Sequence, residues 1–252
     1  MRSGRSSAFA AVVVLIALRA HAAGLVVEPS RVYLTASAGS SVDQDIALSS
    51  ADGGSVRVAF AIEAFTLDID GKPLHRRTSQ LADSVSLSES SAFIRAGEKH
   101  VVHIHLTLPP NAAGTTWFAL MIDVQSDDGV RVASRVGVPI FVSAEETEVW
   151  RAEIGDVRAV RTSTDEVEIT ALVHNSGNSV LRRPATFAIE SGDSEIASRE
   201  VPPFVVLPGG EREIHVRVHG AFGEGRLTVA AFYRYGEAKD QTAAVSAIVL
   251  PR

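Results

Sequence analysis

From residue 24 onward, apolar and polar residues alternate with a period of two, and no long stretch carries the 3.6-residue repeat of an amphipathic helix. The alternation predicts strands over Val26–Leu34, Val42–Leu48, Val56–Ile69, Val85–Leu87, Val101–Leu108, Trp117–Val124 and Val130–Val142. Turn-forming residues separate them, among them Asp70-Gly71, Pro109-Pro110-Asn111 and Asp127-Asp128-Gly129. A second group is predicted over Ile154–Val160, Val167–Val173, Ala185–Ile189, Val201–Val206, Glu213–Val218, Arg226–Tyr235 and Thr242–Leu250. Asn175-Ser176-Gly177-Asn178 marks a further turn in that half. Short strands with regular turn signals predict β-sandwiches.

The strand Val130–Val142 stands apart from the rest. Its thirteen residues exceed the usual strand length of about 5–6. Val130, Val132, Val136, Val138, Ile140 and Val142 share one parity, interrupted by Ser134, and form an aliphatic ridge. The other parity carries Arg131, Ala133, Arg135, Gly137, Pro139 and Phe141. Pro139 lacks an N–H, which predicts that at least one edge of the strand is unpaired. A long aliphatic edge is normally blunted, and where one is kept, addition of a partner's strand is a physical use for it.

The polar stretch Ser143–Glu148 divides the two strand groups. Phe93–His105 and Phe204–His219 each read as an aromatic, a Gly turn, a charged pair and an alternating strand, which favours two similarly built domains over one large barrel. The N-terminus follows a different pattern. Arg2 and Arg5 precede the apolar run Ala8–Leu18 and the small-residue site Ala20-His21-Ala22, which predicts a secretory signal peptide cut after Ala22. The expected organisation is a signal peptide over 1–22, a first immunoglobulin-like domain over 23–143, a linker over 144–152 and a second such domain over 153–252. The fold class is therefore all-β, with two immunoglobulin-like sandwiches after a cleaved signal peptide.

Composition narrows the function. The full chain carries a net charge of −6, and loss of residues 1–22 would remove three arginines and no acid, leaving −9. An acidic surface gains nothing from counterion release, which disfavours nucleic-acid partners. With no cysteine, thiol catalysis and Cys-ligated metals are excluded, and stability must come from apolar cores. His103 and His105 leave one strand face about 7 Å apart. Because Val102, Ile104, Leu106 and Leu108 take the inward parity, a solvated face explains both histidines, and His215 and His219 likewise. Asp68-Ile69-Asp70-Gly71 starts like a calcium loop but lacks the later acidic ligand, so a tight hairpin turn is expected there. No nucleophile elbow, zinc-protease helix or phosphate-binding glycine loop occurs, and neither an enzyme nor a cofactor is expected. Arg31, in Pro29-Ser30-Arg31-Val32-Tyr33-Leu34, reads either as an exposed edge charge or as a bidentate carboxylate contact.

Taken together, these residues resemble the PapD-like periplasmic pilus-assembly chaperones. The resemblance rests on the first-strand pattern Pro29 to Leu34, on Phe93 to Ile104, and on the long strand Val130–Val142. It implies a periplasmic protein that binds a pilin-like subunit lacking a strand, lending it an aliphatic strand through Val130, Val132, Val136, Val138 and Ile140, with an outer-membrane usher as a further partner. The family anchors the subunit's terminal carboxylate with an arginine and a lysine. Arg31 matches the first; Gly137 stands at the second, and Arg135, on the same face, is the candidate substitute. Thr115-Thr116, Phe141 and Arg234 stand where the family carries an ionic cluster. A structural or adhesive module of the cell envelope is the alternative reading.

Overall fold

The alternating sequence folds as strands throughout. The structure, a computed structural model, describes residues 20–22, 24–50, 53–76, 84–125, 132–236 and 242–250. Two units emerge: residues 1–65 with 75–147, and residues 66–74 with 148–252. The division between Thr147 and Glu148 falls in the polar stretch, but the tip of an early hairpin, Thr66–Leu74, belongs to the second unit. Chain order alone does not show that assignment. Among the described residues, no helix is long and apolar enough to cross a membrane.

The first unit contains β1 (Ala20–Ala22), β2 (Leu25–Glu28), β3 (Val32–Ala36) and β4 (Ser41–Ser50), and all but the tip residues of β5 (Val56–Leu67) and β6 (Pro73–Arg76). It continues with β7 (Val85–Leu87), β8 (Ser91–Ile94), β9 (Lys99–Thr107), β10 (Thr115–Gln125) and β11 (Val132–Ala144). One sheet has the order β1-β2-β4-β9-β7 and the other β3-β11-β10-β5-β6, with β8 added to β5. Their inner faces share one core, in which Leu25, Ile46, Leu48, Val102 and Ile104 of the first sheet meet Phe118, Leu120 and Ile122 of the second. That is the sandwich expected from a period-two pattern. Of the expected signal peptide, residues 20–22 form β1 against β2, and residues 1–19 lie outside the described residues.

The single predicted strand Val26–Leu34 is in fact two strands in different sheets. β2 pairs with β4, and β3 pairs in parallel with β11. Pro29, Ser30 and Arg31 form the bend between them, and the Glu28–Pro29 peptide is cis. Pro29 has no N–H to give a ladder, so the chain can leave one sheet there without stranding a donor. Arg31 therefore sits in the bend, not in a strand.

The second unit contains β12 (Ala152–Arg161), β13 (Glu166–Asn175), β14 (Leu181–Ser191), β15 (Ser194–Val206), β16 (Glu211–His219), β17 (Thr228–Arg234) and β18 (Thr242–Leu250). Their order is β15-β14-β17-β18-β12-β13-β16. The two layers of this sandwich meet through a short parallel pairing, Ala159 with Val249 and Val160 with Leu250. Val167, Ile169, Phe187, Ile189, Val229 and Tyr233 fill a core separate from that of the first unit. Asn175 closes the turn after β13. Its amide nitrogen donates to the Ser179 carbonyl at 2.9 Å and the Val206 carbonyl at 3.0 Å, and its Oδ1 accepts from the Gly177 N–H at 3.0 Å.

Candidate strand-addition site

β11 is the strand around which the predicted site was built. It pairs with β10 along its whole described length, from Ser143 opposite Thr115 to Val132 opposite Gln125. On its other side, β3 pairs with Ile140–Ala144 and no further. Residues 132–139 thus have no strand bonded to that side among the described residues; β1 comes near β11 without pairing with it. Pro139 lies just before the β3 pairing begins, where a missing N–H costs no ladder bond.

The facing of the side chains differs from the expectation. Val136, Val138 and Ile140, expected to be lent to a partner, point into the unit's own core together with Val142. Val138 is 0% exposed and Ile140 1%. The reason is register: Val138 lies opposite Leu120 and Ile140 opposite Phe118, both inward residues of β10, and strand neighbours share a face. Val130 lies outside the described residues, as do the side chain of Val132 and the predicted turn at Asp127-Asp128-Gly129.

On the outward parity, Arg135 lies directly opposite Asp123 and grips it in a fork, Nε to Oδ1 at 2.5 Å and Nη2 to Oδ2 at 2.8 Å. Its Nη1 reaches Glu63 Oε1 at 3.4 Å. Glu63, on β5, is only 3% exposed, and its other oxygen lies 3.9 Å from His75 Nδ1. The Asp123 hydrogen bonds raise the Arg135 pKa above its ordinary value, against the opposing pull of burial, with Asp123 and Glu63 adding charge attraction. Arg135 was expected to receive a carboxylate from a partner; the structure supplies two from its own chain. An incoming carboxylate would meet an already neutralised guanidinium beside a buried acid.

Gly137 is exposed, and a side chain there would ask only a small shift of the Met121 thioether. A Cβ there would stand 3.2 Å from Met121 Sδ and 3.6 Å from His75 Cε1. Farther along, Tyr33 stacks on Phe141 with ring centroids 4.9 Å apart, and Phe65 meets Phe141 edge-on at 6.1 Å. This row is apolar where the resemblance implies ionic groups. Arg31 is exposed, with no hydrogen bond or ion pair among the described residues. β3 begins one residue later, where Val32 pairs with Ile140, five positions along β11 from Arg135. The two arginines are therefore not brought together. Sequence reasoning missed Glu63 and Asp123, although each is a single acid inside an otherwise apolar strand, Phe60–Phe65 and Phe118–Val124.

The histidines of the wet faces are held by carboxylates across the sheet. His103 Nδ1 meets Asp45 at 2.6 Å and His105 Nδ1 meets Asp43 at 2.7 Å, each from the directly opposing position on β4. These cross-strand pairs account for that face without a metal.

No family model matches the chain, and no curated protein does. Solved structures do. A chain from a chaperone–tip adhesin complex of CFA/I fimbriae biogenesis aligns over 91% of this chain and all of its own, with 10% identity and a TM-score of 0.50. The class 5 fimbriae chaperone CfaA aligns over 90% of this chain and all of its own, again with 10% identity and a TM-score of 0.50. At that identity the likeness is one of architecture, and it covers both units. The chain thus has the two-sandwich, all-β fold of fimbrial chaperones, and the resemblance to PapD-like proteins holds at the level of the fold.

Proposed function

We propose that this protein is an exported, non-enzymatic chaperone that binds an incomplete β-sandwich subunit of a surface fibre by strand addition. The observation that carries the reading is the uneven pairing of β11, which among the described residues is bonded on both sides over 140–144 and on one side over 132–139. Residues 132–139 supply the backbone edge. Val132, at the start of β11, and Val130, which precedes it in sequence, supply the aliphatic side chains for the partner's groove. Val136, Val138 and Ile140 hold the edge in register from within the unit's core. Arg31, in the bend before β3, is the remaining carboxylate contact.

Magnitudes rank these contributions. Each backbone hydrogen bond gained is worth about 0.5–1.5 kcal/mol net. Each buried valine adds about 1.5–3 kcal/mol, whereas an exposed Arg–carboxylate contact adds at most ~1 kcal/mol. Backbone pairing and aliphatic burial therefore set the affinity, and Arg31 sets direction and register. The likeness to fimbrial chaperones supports the partner class, and an outer-membrane usher would be the next partner in such a pathway.

The test is capture of the partner from a periplasmic extract, followed by hydrogen exchange on the complex. The expected result is a β-rich surface subunit whose binding slows exchange at 132–139, with Val130→Ser/Val132→Ser losing most of the capture at an unchanged unfolding midpoint. Unaltered exchange of 132–139 in a stable complex would refute strand addition. A second reading, a structural or adhesive module of the cell envelope, draws on the commitment of Val136, Val138 and Ile140 to the protein's own core. It predicts that no subunit is captured.

A further inference from the structure

Within the second unit, Asp70, Glu213 and His215 each present a metal-capable atom, and the three atoms lie within 4.8 Å of one another. Their placement follows from the backbone. Gly71, at φ +72°, turns the hairpin after Asp70, and the Gly71 N–H donates to the Asp68 carbonyl at 2.8 Å. The hairpin tip then seats on β16, where the Glu213 N–H donates to the Ile69 carbonyl at 2.8 Å. Gly71 is needed there for its φ, and a Cβ would also oblige the Arg212 guanidinium, the mobile end of its side chain, to move. Two segments about 140 residues apart in sequence are in this way fixed with their carboxylates and one imidazole converging.

We propose that Asp70, Glu213 and His215 form a binding site for a divalent transition-metal ion of the zinc class. His215 is suited to the role. Its Nδ1 lies 3.3 Å from Thr170 Oγ1, so an N–H there has a hydroxyl to donate to, which leaves the Nε2 lone pair for a metal. Nε2 lies 2.7 Å from Glu213 Oε1, and an ion replacing the proton between them would set the two ligand atoms about 3 Å apart. The competitor for Asp70 is weak: Lys72 Nζ is 3.4 Å from Oδ2, with both side chains largely in solvent. One imidazole with two carboxylates selects zinc, nickel or copper over calcium or magnesium, and three protein ligands leave a position for water. The His215 side chain is 62% exposed, so an ion can reach it from solvent. Among the described residues, the two histidine–aspartate pairs on β9 and β4 have no comparable third ligand.

Isothermal titration of the untagged protein with Zn²⁺ near pH 7.5 tests the site. The expected result is one ion per chain, with His215→Gln and Asp70→Asn each weakening binding tenfold or more, and His103→Gln/His105→Gln leaving it unchanged. In the wild-type protein, the imidazole resonances of His215 should shift on adding Zn²⁺ before those of His103 and His105, a readout independent of whether any variant folds. Absence of binding by the wild type at millimolar zinc would overturn the proposal. So would binding insensitive to both His215→Gln and Asp70→Asn, or His215 resonances that stay in place.

Discussion

Arg135 joins two strands and a buried acid at a single point. It lies across from Asp123 and reaches down to Glu63, a carboxylate that is almost wholly enclosed. Enclosing a charge without a partner is expensive, so the guanidinium's main contribution is to make Glu63 tolerable there. Arg135→Met should therefore destabilise the first unit by about 1–3 kcal/mol, the value for a buried pair reduced because Arg135 is itself partly exposed. Urea denaturation would measure it. Arg31 presents the opposite case, an exposed arginine without a partner among the described residues. Arg31→Ala should leave stability within about 0.5 kcal/mol while weakening capture of the subunit, which separates a binding role from a structural one. Asn175 is 0% exposed and satisfies three backbone groups at once. Asn175→Ala should cost about 2–4 kcal/mol, because those groups lose their partner in a closed site.

Among the elements, β11 combines two roles that the sequence pattern does not separate. Its apolar parity is core from Val136 to Val142, while among the described residues its backbone edge is unpaired from 132 to 139. A serine at either Val136 or Val138 would thus attack the fold before it affected binding. Val138→Ser should lower stability by about 2–4 kcal/mol, through lost apolar burial, a residual cavity and an enclosed hydroxyl, and a thermal melt would record it. The break between β2 and β3 is the other element-level device. By switching sheets at Pro29–Arg31, the chain gives β3 as a parallel neighbour to the last five residues of β11 and not to the segment before them. The open edge is in this sense a product of where β3 begins.

Across the whole molecule, the two units have separate hydrophobic cores, one centred on Phe118, Leu120 and Ile104, the other on Phe187, Ile189 and Tyr233. Local losses of stability should follow that partition. Native-state hydrogen exchange is expected to show Val138→Ser accelerating amides of the first unit and Asn175→Ala those of the second. Uniform acceleration across both units in either variant would contradict it. The absence of cysteine means that these two cores, with the strand ladders, account for the stability, and reducing agents should leave the melting temperature unchanged.

Side-chain alternation and turn residues carried the local order: period-two strands, the Asp70-Gly71 turn and the all-β class. These follow from side-chain alternation and from turn chemistry, which act over a few residues. Only the tertiary structure decided which face of β11 is inward, because a register set by pairing with β10 fixes every side chain on the strand at once. The same holds for Arg135, whose partners come from strands 12 and 72 residues away, and for the hairpin tip at Thr66–Leu74, which belongs with strands far along the chain. Long-range pairing has no local signature, and the ion pairs, the open edge and the Asp70–Glu213–His215 cluster all depend on it.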